Sequence, residues 1–163
     1  DATVVAEILK SNTSVTEVHL SSNKEIGAEG AKALAEALKV NATVKELGLS
    51  HCRIGDEGAK ALAEALKVNT RVKALTLAGC GIGDDGAAAL AEALRSNTSL
   101  TLRLNLEDNN GISEQGKQLL RDAVAGREGF WHEGFWREGF ELHFLPYYIR
   151  DRLALDSVGL PRR

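Results

Sequence analysis

The first 129 residues contain no aromatic side chain; all four Phe, both Trp and both Tyr lie between Phe130 and Tyr148. Aromatics are the bulkiest filling a core can use, so residues 1–129 must bury Leu, Ile, Val and Ala in thin, regular layers. Methionine is absent, which is expected of a processed chain or of a piece of a longer one. With only two Cys there is no disulfide framework. No apolar run approaches the roughly 20 residues that cross a bilayer. Asp1-Ala2-Thr3 does not open a basic-then-apolar signal peptide, so a cytoplasmic chain without membrane contact is expected. The formal net charge of −3 disfavours a broad nucleic-acid-binding surface. What 163 residues with 44% hydrophobic and 26% charged side chains do support is a folded chain with a core of useful size.

That core is built by repetition. GAKALAEALKVN occurs at 30–41 and again, unchanged, at 58–69, with a third version, GAAALAEALRSN, at 86–97. AEILKSN at 6–12 is the tail of an earlier copy, and GKQLLRDAV at 116–124 is a divergent later one. A fixed period of this kind marks a stacked-repeat architecture. Within each unit the segment Val15–Leu20, and its equivalents Val44–Leu49 and Val72–Leu77, end in period-2 alternation and predict a strand. Leu102, Leu104 and Leu106 supply the fourth copy, one residue further from its Asn than in the others. The second half of each unit is helical. In 58–67, Ala59, Leu62, Ala63 and Leu66 share one face, with Lys60, Glu64 and Lys67 opposite. Asp56, and Asp84 one unit later, are placed to cap the helices that they precede.

Three residues after the last strand Leu stands a column of Asn23, Cys52, Cys80 and Asn109, and six residues after Leu20 comes Ile26, matched by Ile54, Ile82 and Ile112. The pattern L-x-x-L-x-L-x-x-[N/C]-x-[I/L] resembles the leucine-rich repeats, and the strand-plus-full-helix unit resembles their ribonuclease-inhibitor-like subtype, over about residues 2–125. The resemblance implies an α/β fold: a right-handed curved solenoid with parallel strands on the concave face and helices on the convex face. Strands stack about 4.8 Å apart while helix axes need about 8–10 Å, and this mismatch bends the stack. The resemblance also implies that Asn23, Cys52, Cys80 and Asn109 form a structural ladder that satisfies buried loop backbone groups.

The two ends differ from the repeats. Val4, Val5, Ile8 and Leu9 look like the end of a repeat whose strand is missing, as in a piece of a longer protein. Residues 1–126 are read as the solenoid and 127–163 as an aromatic-rich cap or tail. In the tail, Glu-Gly-Phe recurs every five residues at 128, 133 and 138, twice followed by Trp. Gly at this spacing disfavours a helix. The alternation in Phe140–Phe144 predicts a capping strand, with Leu142 beside the last repeat. Phe130, Trp131, Phe135 and Trp136 exceed what one end layer needs, and aromatics are enriched at binding hot spots. Self-association through this segment is therefore a candidate.

Motifs with chemical meaning dissolve in the repeat alignment. Gly81-Ile82-Gly83-Asp84-Asp85-Gly86 matches G-x-G-x-x-G, but Gly83 and Gly86 are equivalent to Gly55 and Gly58 and to Gly27 and Gly30, and two Asp would repel a pyrophosphate. Cys52 and Cys80 stand in one column of adjacent repeats, about 5 Å apart. Disulfide geometry permits that separation, yet two buried thiols are the expected state. No third and fourth ligand joins His51 and Cys52 for zinc. His19, His132 and His143 read as surface histidines without a nucleophile partner. The glycosylation patterns at Asn12, Asn41 and Asn97 recur at one repeat position and read as structural turns.

The concave face remains. Its outward columns are Glu17, Glu46, Ala74, Arg103; then His19, Gly48, Thr76, Asn105; then Ser21, Ser50, Ala78, Glu107. The expected function is a non-catalytic module, without cofactor or metal, that binds another protein. Its candidate contacts are Glu17, His19, Glu46, Thr76, Arg103 and Asn105 on this face, Phe130, Trp131, Phe135 and Trp136 in the tail, or both sets. The segments LAEALKVNxxVKEL and SNTSL are also similar to the repeat domain of the tropomodulins, which would imply an actin-filament capping domain. The identical copies alternatively suit an engineered or consensus repeat scaffold.

Overall fold

A computed structural model describes residues 2–97, 103–125 and 131–133. Strand and helix alternate throughout: α1 (Ala2–Ser11), β1 (Glu17–His19), α2 (Gly27–Val40), β2 (Glu46–Gly48), α3 (Gly55–Val68), β3 (Ala74–Thr76), α4 (Asp84–Ser96), β4 (Arg103–Asn105), α5 (Glu114–Val124) and β5 (Trp131–Glu133). All neighbouring strands are parallel, in the order β1-β2-β3-β4-β5. Each of α2 to α5 is the crossover that a parallel pair requires. This is the α/β leucine-rich-repeat solenoid.

The helices form because Ala and Leu recur at helical spacing and because stacking gives that face somewhere to go. In α3 the buried residues are Gly58, Ala59, Leu62, Ala63, Ala65 and Leu66, and α2 and α4 bury the equivalent sets. Leu34, Leu62 and Leu90 are buried in one core with the strand residues Leu47 and Leu75, and burial of each such side chain stabilises the fold by about 1.5–3 kcal/mol. Helix–helix approach is set by glycine. A Cβ on Gly58 would lie 2.6 Å from Ile54 Cβ and 3.0 Å from Ala31 Cβ, so the small residue lets α3 close onto α2.

The three central helices, α2, α3 and α4, each end at an asparagine that ties two repeats together. Asn41, Asn69 and Asn97 are buried and leave the helical conformation. Asn41 Nδ2 donates to Leu9 O (2.7 Å) and Asn12 O (3.1 Å) of the preceding repeat, while its Oδ1 accepts from Thr43 N and Val44 N ahead of β2. Asn69 repeats the arrangement on Leu38 O, Asn41 O, Arg71 N and Val72 N. Buried loop backbone is tolerable only when its polar groups are paired. The glycosylation patterns at 41 and 97 therefore lie on amides committed to this internal ladder.

Two expectations are corrected. Asp56 and Asp84 do not cap the helices they precede, for they lie within the first turns of α3 and α4. Instead Asp56 Oδ1 accepts from Gly83 N (2.7 Å) and Gly86 N (3.0 Å), at the start of α4 in the next repeat. Asp84 Oδ1 likewise accepts from Ser113 N at 2.8 Å, and Ser113 itself caps α5. Parallel stacking brings each helix start over the next, which no spacing within one unit reveals. Second, the position beside β4 expected for Leu142 is taken by Trp131–Glu133, in the register Arg103–Trp131, Leu104–His132 and Asn105–Glu133. The first aromatic pentad thus supplies a strand to the sheet. Phe140–Phe144 lies outside the described residues.

Candidate functional site

The strand face is built by register. Glu17 pairs with Glu46, Glu46 with Ala74 and Ala74 with Arg103; His19 pairs with Gly48, Gly48 with Thr76 and Thr76 with Asn105. The central residue of each strand, Val18, Leu47, Leu75 or Leu104, is buried beneath. Period-2 alternation on three-residue strands therefore turns these two columns outward together.

His19, Glu46, Thr76, Arg103 and Asn105 surround a shallow depression of about 300 Å³, with Gly48 and Ala74 buried at its base. Gly48 makes the low point. A Cβ there would sit 3.3 Å from both His19 Nδ1 and Thr76 Oγ1. Glu17 stands beside Glu46 at the edge, and its Oε2 lies 3.4 Å from His19 Nε2, both side chains being exposed. Trp131 continues the Glu17-to-Arg103 column through its backbone register, whereas Phe130, Phe135 and Trp136 lie outside the described residues.

The column below the face has a different character. Cys52 and Cys80 are free and fully buried. Cys52 Sγ donates to Leu20 O and Cys80 Sγ to Leu49 O, each at 3.1 Å and each in the preceding repeat. Burial pushes both thiols above their usual pKa. Asn109 Nδ2 donates to Leu77 O and Leu106 O, and its Oδ1 accepts from Cys80 N and Ile82 N. Asn23 is exposed and bonds within its own loop, donating to Leu20 O. His51, with φ of +59°, lies over Gly79.

Among the described residues, no three His, Cys, Asp or Glu side chains converge as a metal site would require. In the G-x-G-x-x-G segment, the amides of Gly83 and Gly86 are already held by the Asp56 carboxylate, so the two donors nearest the helix start do not face a phosphate. No helix among the described residues is long and apolar enough to cross a membrane. The asparagine ladder at 41, 69 and 97 was legible as a third column recurring every 28 residues, but its reach into the preceding repeat was not.

Repeat period and parallel register define a leucine-rich-repeat fold. A leucine-rich-repeat family profile matches residues 11–35, 40–63 and 68–91. Among solved structures, the chain is similar to leiomodin-1 actin-binding site 2, with 26% identity over 82% of this chain and 78% of that one, at a TM-score of 0.73. It also shares its fold with the tropomodulin C-terminal domain from Caenorhabditis elegans, with 18% identity over 95% of this chain and 90% of that one, at a TM-score of 0.70. Compared by sequence with curated proteins, the chain has no match.

Proposed function

We propose that this chain is a non-catalytic protein-binding module whose strand face holds its partner, and that the partner is actin. The observation that carries the reading is the low-walled depression centred on Gly48, where two columns of side chains border a floor without bulk. Its size suits a projecting segment of a protein surface better than an enclosed small molecule, which needs a deeper pocket. Actin is favoured because one similar structure is an actin-binding site of leiomodin-1. In this reading Glu17, His19, Glu46, Thr76, Arg103 and Asn105 make the contacts. Phe130, Trp131, Phe135 and Trp136 extend them from the edge of the sheet at β5, with the segment from 127 onward acting as cap and second contact surface. Two unbridged thiols suit a reducing compartment, and we place the protein in the cytoplasm, away from nucleic acid and membrane.

Co-sedimentation with filamentous actin and a pointed-end elongation assay test the proposal. Gly48→Arg fills the depression from a position whose backbone accepts any residue. It should abolish binding while leaving the circular dichroism spectrum unchanged, and Glu17→Arg with Glu46→Arg should weaken it. Unaltered binding by Gly48→Arg would remove the strand face from the interface. Failure of the unmodified chain both to co-sediment with filamentous actin and to alter pointed-end elongation would remove actin.

A further inference from the structure

A second groove lies where the chain turns from helix to strand, on the lead-in to β1, β2 and β3. It has a volume of about 260 Å³ and is bordered by Thr13, Thr16, Lys45, Thr70, Arg71 and Lys73. Three of these side chains are cationic, and no carboxylate lines the groove. Lys45 N donates to Thr16 O and Lys73 N to Lys45 O, both at 2.7 Å, so the two lysines stand in register just ahead of adjacent strands. Like charges placed side by side across a sheet are destabilising.

The helices treat their lysines differently. Each helix lysine is ion-paired with the Glu three residues before it: Lys10 with Glu7, Lys32 with Glu29, Lys39 with Glu36, Lys60 with Glu57, Lys67 with Glu64 and Lys117 with Glu114. Lys45, Arg71 and Lys73 have no carboxylate within salt-bridge distance among the described residues. The acidic neighbours in sequence do not reach them. Glu46 lines the other depression, and Glu17 lies against His19.

We infer that this groove binds an acidic, extended segment of a partner protein. Carboxylates of the segment supply the charge that Lys45, Arg71 and Lys73 lack, and the hydroxyls of Thr13, Thr16 and Thr70 face its backbone. The occupant is a peptide because the groove is short and sets hydroxyls beside its cations, while a chain of net charge −3 offers no wider basic surface to a nucleic-acid backbone. The groove shares no residue with the strand-face depression, so the inference stands or falls independently of actin binding.

Fluorescence anisotropy with a labelled oligo-glutamate peptide tests it on the full chain, with a labelled single-stranded oligodeoxynucleotide and inorganic phosphate as comparisons. The peptide should bind, and added salt should weaken it. Lys45→Glu with Lys73→Glu should reduce affinity by about tenfold or more, the loss of two ionic contacts. If the charge-reversed variant fails to fold, Lys45→Gln with Lys73→Gln carries the same expectation. Three results would each overturn the inference: no binding of the peptide, equal affinity in the lysine variants, or an oligonucleotide that binds as tightly as the peptide. Full competition by phosphate at the same charge concentration would also overturn it, because a free anion would then account for the site.

Discussion

The carboxylate of Asp56 belongs to α3 but holds the first turn of α4, where its Oδ1 accepts from Gly86 N at 3.0 Å and from Gly83 N at 2.7 Å. A helix start has amides without intrahelical partners, and here the preceding repeat satisfies them. The bond also shapes the turn. Gly27 and Gly55 have φ of +54° and +60°, but Gly83, held by Asp56, is extended at φ −110°.

Asp56→Ala should therefore destabilise the solenoid by about 1–2 kcal/mol, the usual loss on removing a cap. Asp56→Asn, which keeps an acceptor oxygen, should lose only part of this. Urea denaturation midpoints measure both. Amide exchange should accelerate at Gly83 and Gly86, in the repeat after the substitution; acceleration confined to α3 would contradict the cross-repeat cap.

Asn69 makes four hydrogen bonds while buried, two to carbonyls of the preceding repeat and two from amides ahead of β3. Asn69→Ala strands several buried polar groups, each costing about 1–3 kcal/mol, and should be among the most damaging substitutions in the chain. Asn69→Asp keeps the acceptor but faces Leu38 O and Asn41 O without donors, so it should rescue little near neutral pH. Thermal melts of the two variants would settle the comparison, with equal stability to the unmodified chain as the contrary result.

Gly58→Ala is expected to destabilise although alanine favours helix by up to about 1 kcal/mol. The new Cβ would fall 2.6 Å from Ile54 Cβ and 3.0 Å from Ala31 Cβ, and overpacking of this kind costs about 1–3 kcal/mol. A raised melting temperature would show that α2 and α3 can part without penalty.

Cys52 and Cys80 should resist a thiol reagent in the folded chain and react fully in denaturant, since both are 0% exposed. Burial raises their folded pKa above the ordinary value of 9.0. The folded state therefore holds these protons after the unfolded chain has released them. Their contribution to stability is complete below that ordinary value and is lost as pH rises beyond it. Denaturation midpoints measured across the alkaline range should fall, and Cys52→Ala with Cys80→Ala should flatten that fall. An unchanged slope in the double variant would exclude the thiols as its source.

Much of this architecture was readable before any coordinates. The outward columns Glu17-Glu46-Ala74-Arg103 and His19-Gly48-Thr76-Asn105 follow from strand alternation combined with a constant period, and the observed register pairs the same residues. Even the fourth strand, offset by one residue in the sequence, falls into line at Arg103–Asn105, since only that register buries Leu104 beneath the sheet. The contacts of Asp56, Gly58 and Asn41 were not readable in the same way, because each is made to a residue about one repeat away.

Local sequence determined that there would be strands, helices and a 28-residue rhythm, because hydrophobic period and turn chemistry act over a few residues. It also determined which side chains face out. Only the stacked structure decided that a cap serves the next repeat, that an asparagine ties down the previous one, and that Trp131–Glu133 extends the sheet. Those outcomes depend on the distance between layers, and no single layer carries that distance in its own residues.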